Sequence, residues 1–481
     1  MSSIAAWLLA TARTPKKLKN WRACRNMARR VRHISETGLR LTCLGLALTS
    51  CAPHDGRTHV TVQRFFGECR ANVPKGRPAI RNQDGECEIL TGLLDRFEKE
   101  NPDVALDVNI VGWPGYDQLS AEYAAGDPPD IVTVHMSAMP DFAKRGLLEP
   151  LDADFARIGI DPNNFTPAAH HGVVISGRDG AGKTGVHVYG MPFDNWTQLW
   201  HANLNLFRQA GLVDANGEPI LPHAPEELLS QARQFKAKTG LPYFLQPTDN
   251  ERAAFTRNLY TYLMDQHAVI FTDPHHIHLD TPQAKRIVEL FRQVYAEGLV
   301  APGQDYPAAM AAFLNGKGGV LMNGTWVIGA LTTESETAGR PLYHGYTVKP
   351  YPMLYGGAPT AYVDGHAWVM PARSRTPAQR AAVLRLMKFL QVHDFDWSRT
   401  GHLTSQKDVS ESARYLDLPH RRDIVGLATD GQTLPPGIER QFAIHDIIGD
   451  ELASAVTGHK SVDAALKDAE HRINDLLFHV L

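Results

Sequence analysis

Long apolar runs are missing from this 481-residue chain, and no stretch approaches the roughly 20 residues that a membrane-spanning helix requires. Hydrophobic residues make up 43% and charged residues 21% of the sequence, a composition typical of globular proteins. The chain is also too long for one ordinary hydrophobic core. The composition therefore predicts two domains, or two lobes that share strands, and argues against a helical membrane protein.

Basic residues are scarce outside the N-terminal segment. Residues 1–50 contain 10 of the 49 lysines and arginines and a single acidic residue, Glu36. The remaining chain has 39 basic and 51 acidic residues, a formal net charge of −12. Because such a surface repels phosphates, we expect no nucleic-acid partner.

The basic N-terminal segment has the pattern of an export signal. A cluster of arginines precedes a short apolar run at 41–48, which ends in Leu48-Thr49-Ser50-Cys51. This pattern indicates a signal peptide at 27–50 rather than a membrane anchor. Residues 1–26 fit no signal of normal length, so we interpret them as a start-site artefact or a disordered segment.

The end of this signal resembles the lipobox at which bacterial lipoproteins are cleaved. The resemblance implies lipidation of Cys51 and a protein held by a lipid anchor on the periplasmic side of the cell envelope. An ordinary buried cysteine behind a signal peptide is the alternative.

Cysteine is rare as well, with five residues in the whole chain. Only Cys69 and Cys87 follow the predicted lipidation site. An even pair in an oxidising compartment predicts a disulfide. The alternative, two metal ligands, lacks nearby partners at zinc spacing.

Strand and helix patterns alternate from residue 59 onward. Residues 59–66, 104–111 and 130–134 have the composition of strands, and apolar residues at helical spacing run from Ile89 to Phe97. This β-α-β-α-β order predicts a parallel sheet with both faces covered. Later helices are predicted to begin at N-capping residues followed by apolar residues at helical spacing, at Thr281, Thr376 and Ser461.

Several segments together resemble the maltose-type, carbohydrate-binding family of extracellular solute-binding proteins of bacterial ABC importers. They are GDPPDIVTVH with GLLEPLD, YGMPFDNWTQLWHANLNLFRQAGL, AAFLNGKGGVLMNGTW, GYTVKPYP and SVDAALKDAEHRI, in the order of the family. The disulfide loop, the histidine-rich insert at 275–278 and PMLYGGAPTAYVDGHAW depart from the family, so the identity of the ligand does not transfer.

This resemblance implies a two-lobed α/β fold of the periplasmic-binding-protein type, with a multi-strand hinge and a ligand cleft between the lobes. Residues 59–192 and 348–400 would form the first lobe, and residues 193–347 and 401–481 the second. A monomer would bind a mono- or oligosaccharide and deliver it to the membrane permease. The alternatives are a binder of glycerol-phosphate or another polar metabolite, or an envelope glycosidase.

Sugar binding requires aromatic faces and a few polar groups in a concave site. Trp326 follows a glycine that permits close approach, and the family has an aromatic platform there; a core tryptophan is the alternative. Loop aromatics, strand ends and hinge residues add further candidates, although packing, turn or capping roles remain open for them. The other predicted ligand residues are Trp113, Tyr116, Phe66, His135, Met136, Asp194, Asn195, Trp196, His366, Asn250 and His445.

The segment Gly177–Thr184 matches the letters of a phosphate-binding loop. A working phosphate loop needs a helix after it, whereas alternating apolar residues follow here, so we predict a hairpin turn. His275, His276 and His278 follow Asp273-Pro274 without a cysteine or a pair of carboxylates at ligand spacing, and we predict a solvated loop. No Gly-x-Ser-x-Gly or His-Glu-x-x-His motif is present. We therefore expect no metal, no cofactor and no enzymatic activity.

Overall fold

A computed structural model describes residues 55–66, 69, 85–249 and 251–479 of the protein. The predictions for the start site, the signal peptide and Cys51 concern residues outside these ranges, as does the prediction for Asn250. Within the described ranges, no helix has both the length and the apolar character needed to cross a membrane.

The strands of the described ranges are numbered along the chain. They are β1 (Thr58–Arg64), β2 (Val104–Ile110), β3 (Ile131–His135), β4 (Val174–Arg178), β5 (Thr184–Val188), β6 (Gly190–Asn203), β7 (Phe244–Leu245), β8 (Phe271–Asp273), β9 (His276–Ile277), β10 (Val320–Gly324), β11 (Tyr346–Lys349) and β12 (Val363–Val369).

The α-helices are numbered in the same way. They are α1 (Glu86–Glu100), α2 (Tyr116–Ala125), α3 (Met139–Lys144), α4 (Asp152–Ile158), α5 (Pro167–Val173), α6 (Leu204–Ala210), α7 (Pro225–Thr239), α8 (Ala253–Asp265), α9 (Pro282–Ala296), α10 (Tyr306–Leu314), α11 (Ile328–Glu336), α12 (Pro377–Val392), α13 (Asp394–Ser398), α14 (Lys407–Ser410), α15 (Ala413–Leu416), α16 (Arg421–Ile424), α17 (Leu427–Asp430), α18 (Gln441–Val456) and α19 (Val462–Phe478).

One eight-stranded sheet runs in the order β2-β1-β3-β12-β6-β10-β7, and β11 pairs with β6. Strand β1 is parallel to β2 and β3, but β12 is antiparallel to both β3 and β6. The parallel pairing predicted for the strands within residues 59–134 is therefore confirmed, and the antiparallel β12 makes the complete sheet mixed. Antiparallel neighbours need no helical crossover, and β6 enters the sheet directly after the β4–β5 hairpin.

Of three sets of buried apolar residues in the described ranges, two lie on separate parts of this sheet. One includes Phe193, Trp368 and Trp397, together with α1 and α12. The other includes Trp196 and Tyr362, together with α7, α9 and α18. The chain passes between them along β6, at the start of β12 and after α13, which is the multi-strand connection of a two-lobed α/β fold. The predicted lobe boundaries remain a prediction.

Local sequence signals correspond to observed turns and helix ends. Residues 177–184 form the β4–β5 hairpin, in which Asp179 Oδ1 accepts the backbone N–H of Ala181 at 2.9 Å and of Lys183 at 2.8 Å. Thr281 and Ser461 cap α9 and α19 through their side chains. His276 lies in strand β9, so the loop prediction is wrong at this residue.

The predicted disulfide is present between Cys69 and Cys87. Cys87 is the second residue of α1 and is buried. The disulfide therefore connects Cys69 to the buried side of α1 in its first turn.

Candidate functional site

A cavity of about 350 Å³ lies between the two sets of buried residues. Six of its lining residues are among the predicted ligand residues: Phe66, Trp113, His135, Trp196, Trp326 and His366. Phe65, Glu86, Glu251, Arg257, Tyr306 and His402 complete the lining and were not predicted. Six of the twelve lining residues thus carry phenyl, phenol or indole rings, and the other six are ionisable.

Trp326 and Trp196 form one aromatic corner of the cavity. Their ring centroids are 5.6 Å apart at an interplanar angle of 80°, and Trp326 Nε1 donates to the Tyr306 hydroxyl at 2.8 Å. A Cβ atom at Gly324 would lie 2.0 Å from the Trp326 ring. Only glycine at this position therefore allows the observed ring placement.

Trp113, Phe65 and Phe66 contribute further rings to the cavity wall. Trp113 is 55% exposed, which leaves much of its indole face free. Phe65 stacks on His135 with centroids 5.2 Å apart. Phe66 has a φ of +69°, an uncommon conformation for a residue with a bulky side chain, and its ring packs edge-on to Trp397.

His135 is fixed by Tyr116, which lies behind it. The Tyr116 hydroxyl accepts the backbone N–H of His135 at 2.9 Å and lies 2.7 Å from Nδ1 of the same residue. Burial holds the pKa of His135 well below its ordinary value, and the neighbouring His366 lowers it further. A neutral imidazole therefore faces the cavity.

Arg257 and Glu251 form an ion pair at the cavity wall. Arg257 Nη1 donates to Glu251 Oε1 at 2.5 Å, and the guanidinium carbon lies 5.1 Å from the centroid of the Trp196 ring. Among the described residues, no hydrogen-bond acceptor meets Arg257 Nε or Trp196 Nε1, although both atoms are buried. Both donors suit the hydroxyl or carbonyl oxygen of a ligand.

Asp194 is completely buried and supports His366 from behind. Its carboxylate lies 2.8 and 2.9 Å from His366 Nδ1 and accepts Trp397 Nε1–H at 2.8 Å. Burial disfavours both charges, but the mutual attraction outweighs it, raising the pKa of His366 and lowering that of Asp194. This pair presents the His366 ring to the cavity rather than a free carboxylate.

Glu86 and His402 stand together at the same end of the cavity. Glu86 is the first residue of α1, and its Oε1 lies 3.5 Å from His402 Nε2. Burial and the charge of Asp194 raise the pKa of Glu86 to about 7, although His366 acts in the opposite direction. Burial lowers the pKa of His402 to about 4.

The other described candidates lie outside the cavity. Met136 and Asn195 are buried beside it, and the Asn195 side chain accepts a hydrogen bond from Thr166 at 2.8 Å. His445 is buried against Tyr260. These residues, like Tyr116 and Asp194, are not among the residues that line the cavity.

A model of the bacterial extracellular solute-binding protein family matches residues 87–394 of the chain. A binding protein of Brucella abortus (strain 2308) is 25% identical over 395 residues, covering 79% of this chain and 88% of that protein. The sn-glycerol-3-phosphate-binding periplasmic protein UgpB of Escherichia coli (O1:K1) is 24% identical over 423 residues, covering 83% of this chain and 92% of UgpB.

Among solved structures, maltose-bound MalE3 of T. maritima matches with a TM-score of 0.70. The match covers 88% of this chain and 100% of that chain, at 18% sequence identity. The two proteins thus share a fold, but a shared fold does not identify the ligand of this protein.

Proposed function

The chain belongs to the family of bacterial extracellular solute-binding proteins, and from this premise we propose that its cavity binds a mono- or oligosaccharide for an ABC importer. The sugar would be captured by closure of the lobes, delivered to the membrane permease and released unaltered. We further propose that the protein acts as a monomer, without enzymatic activity, and is anchored in the envelope through Cys51.

The aromatic wall of the cavity is the observation that carries this proposal. The rings of Phe66, Trp113, Trp196 and Trp326 line a space that is bordered by ionisable side chains as well. Aromatic faces pack against the apolar C–H faces of a sugar ring, while a few placed donors and acceptors orient its hydroxyls. The maltose bound to MalE3, which has the same fold, supports this choice of ligand class.

The charges of the cavity favour an uncharged sugar over glycerol-phosphate, the ligand in the name of UgpB. The lining includes two carboxyl residues, Glu86 and Glu251, against one guanidinium, that of Arg257. Because Arg257 is already paired with Glu251, a phosphate dianion would meet little uncompensated positive charge.

The position of Asp194 disfavours this residue as the catalytic carboxylate of a glycosidase. A catalytic carboxylate must reach the glycosidic bond or a water beside it. Asp194 is completely buried, and its oxygens accept hydrogen bonds from His366 and Trp397. It therefore suits support of the site rather than reaction with a ligand.

Titration calorimetry against a panel of mono- and oligosaccharides, with glycerol-3-phosphate included, tests the proposal. We expect at least one neutral sugar to bind, and Trp326→Ala to weaken its binding by about tenfold or more, since an aromatic contact contributes about 0.5–1.5 kcal/mol beyond the area that it buries. Phe478→Ala, which removes a ring that is 69% exposed, is the matched control. Binding of glycerol-3-phosphate alone would refute the sugar assignment.

Two further measurements test the proposed lipid anchor and the proposed lack of enzymatic activity. Mass spectrometry of the mature protein should show an N-terminal lipid-modified Cys51. Chromatography of the bound sugar after long incubation should recover it intact. An unmodified N-terminus would contradict the lipid anchor, and accumulation of hydrolysis products would contradict the non-enzymatic proposal.

A further inference from the structure

Glu86 and His402 come together at one end of the cavity, although they lie in distant parts of the chain. Both side chains line the cavity, and the ring of His402 is completely buried. Burial lowers the pKa of His402 to about 4, so its imidazole is neutral at neutral pH. The place of its single ring proton then depends on the hydrogen bonds of its neighbours.

The hydrogen bonds around Thr400 determine which nitrogen of His402 carries that proton. The Thr400 hydroxyl donates its only hydrogen to the Trp397 carbonyl oxygen at 2.8 Å. Since Thr400 Oγ1 lies 2.8 Å from His402 Nδ1, it accepts a hydrogen from that nitrogen. The neutral His402 therefore has its free lone pair on Nε2.

Two carboxyl groups face this lone pair. His402 Nε2 lies 3.5 Å from Glu86 Oε1 and 3.9 Å from Asp194 Oδ2. The nitrogen is buried, and among the described residues none donates a hydrogen bond to it. Because a buried acceptor requires a donor, the arrangement favours a proton on one of the two carboxyl groups.

Asp194 is not the group that carries this proton. Its oxygens already accept hydrogen bonds from His366 Nδ1 and Trp397 Nε1, each at 2.8 Å. Burial acts to raise the pKa of Asp194, but the attraction of His366 and His402 outweighs burial and holds this pKa below its ordinary value. Glu86 accepts no hydrogen bond from any other residue in the described ranges, so the proton belongs on Glu86.

The charged groups around Glu86 act on it in both directions. Burial is the largest influence and raises the pKa of Glu86 to about 7; the charge of Asp194 adds to this effect, whereas those of His366 and Arg64 oppose it. The other ionisable side chains that line the cavity are His135, Glu251, Arg257 and Tyr306, besides His402. The balance agrees with a proton on Glu86 at neutral pH and below.

We propose that Glu86 binds the solute as a neutral carboxylic acid, which donates its O–H to His402 Nε2 and accepts a hydroxyl hydrogen of the solute on its other oxygen. The Glu86 side chain lines the cavity and is 26% exposed. The 3.5 Å between Oε1 and Nε2 is long for a hydrogen bond, so the carboxyl group must approach His402 by a few tenths of an ångström. The solute contact rests on the proposed function, whereas the protonation of Glu86 does not.

This role couples solute binding to pH. A bound solute excludes the water that stabilises an ionised Glu86, while the negative charge of Asp194 remains nearby, so binding raises the pKa of Glu86 further. Because the bound state then holds the proton more tightly, the affinity is greatest below the pKa of the free protein, about 7, and falls as the pH rises through and above it. For each unit by which the pKa rises, the affinity falls by up to about tenfold.

The experiment is calorimetry with maltose, or with whichever neutral sugar of the panel binds tightest, at about pH 6 and about pH 9. The wild type should lose about tenfold in affinity between the two. The amide of Glu86→Gln can donate to His402 Nε2 and keeps an oxygen for the solute, so this variant should bind within about threefold of the wild type at pH 6 and show no such loss. Glu86→Ala should bind about tenfold more weakly at pH 6, since a hydrogen bond is worth about 0.5–1.5 kcal/mol.

Glu289→Gln is the matched control, because the Glu289 side chain is 54% exposed; it should keep the pH profile of the wild type. A loss of tenfold or more in Glu86→Gln at pH 6 would show that the ionised carboxylate binds the solute and would overturn the proposal. A wild-type affinity that does not fall with rising pH would overturn it as well.

Infrared difference spectra of the solute-free wild type against Glu86→Gln test the protonation by itself. We expect the band of a protonated carboxyl group at about pH 6, and its disappearance at about pH 9. Absence of this band would overturn the proposal while sugar binding persists. Presence of the band without binding of any sugar would instead count against the proposed function, so the two failures are distinguishable.

Discussion

The ring of Phe442 packs edge-on against the ring of Tyr116, with centroids 5.2 Å apart. Phe442 is the second residue of the long helix α18, whereas Tyr116 is the first residue of α2. The same phenyl ring lies 5.0 Å from His135 and 6.3 Å from Trp113. Phe442 therefore connects α18 to the aromatic wall without lining the cavity itself.

The segment before Phe442 adds polar contacts to the same surface. The backbone N–H of Arg440 donates to Asp141 Oδ1 at 2.9 Å, and Lys144 forms an ion pair with Glu439. These contacts join helix α3 to the start of α18. Movement of α18 away from α3 would therefore break these polar contacts together with the packing of Phe442 against Tyr116.

Phe442→Ala should therefore weaken solute binding although Phe442 does not line the cavity. Each lost ring contact is worth about 0.5–1.5 kcal/mol. Its loss would favour the arrangement in which the lobes are apart, and would lower the affinity for the solute by about tenfold. Stopped-flow fluorescence should show the change mainly in the dissociation rate. Phe478→Ala should leave that rate unchanged, and an unaltered rate in Phe442→Ala would contradict the interpretation.

Gly324→Ala should impair binding by displacing the Trp326 ring. The new Cβ would lie 2.0 Å from that ring, far inside van der Waals contact, so the indole must move. We expect a loss of sugar affinity similar to that of Trp326→Ala, measured by calorimetry. Gly180→Ala is the matched control, because a Cβ there meets no atom within 4 Å. Equal affinity in both glycine variants would show that the ring position does not matter.

Removal of the disulfide should destabilise the protein and disturb the cavity. Replacing Cys69 and Cys87 together with serine should lower the free energy of unfolding by about 3 kcal/mol, as for other cross-links of similar span. Sugar affinity should also fall, since Glu86 at the cavity precedes Cys87 directly. Denaturant unfolding with and without reductant provides the check: the wild type should respond to reductant and the variant should not.

Asp265→Ala should be strongly destabilising because this buried carboxylate holds the loop that follows Tyr351. It accepts the backbone N–H groups of Leu354, Tyr355 and Gly357 at 2.8, 2.9 and 2.7 Å. Leaving buried N–H groups without an acceptor should cost about 3 kcal/mol or more. Urea unfolding measures the loss, with Asp475→Ala, at a residue that is 69% exposed, as the control. A loss below about 1 kcal/mol would contradict this role.

Asp394 should make stability depend on pH. Burial raises its pKa from 3.8 to about 7, against hydrogen bonds from Thr404 and Ser405 that act in the opposite direction. The stability contributed by the neutral carboxyl is complete below about pH 4 and is lost as the pH rises towards 7, because the folded state holds the proton more tightly.

Asp394→Asn should remove this part of the pH dependence. The decrease in unfolding temperature between pH 5 and pH 8 should be smaller in Asp394→Asn than in the wild type. Asp396→Asn, on the same helix and partly exposed, should behave like the wild type. Parallel pH profiles for Asp394→Asn and the wild type would show that Asp394 does not titrate in this range.

The sequence by itself determined the features that depend on neighbouring residues. The caps at Thr281, Thr376 and Ser461 and the hairpin at 177–184 were predictable, because a cap or a turn is made by side chains and backbone groups only a few residues apart. The two-lobed α/β fold was predictable from the ordered set of family segments. Phe66, Trp113, Trp196 and Trp326 were predicted as ligand residues from their places at a strand end, a loop, the hinge and beside a glycine, and all four line the cavity.

Only the tertiary structure decided which of the candidates line the cavity. Asp194 was predicted as a ligand residue at the hinge, but His366 and Trp397, which are distant in the chain, donate hydrogen bonds to its buried carboxylate. Arg257 and Tyr306 lie in ordinary helical sequence, and nothing local marks them as cavity residues. Burial and pairing depend on long-range packing, so the charges that face a ligand emerge only when separate segments of the chain are brought together.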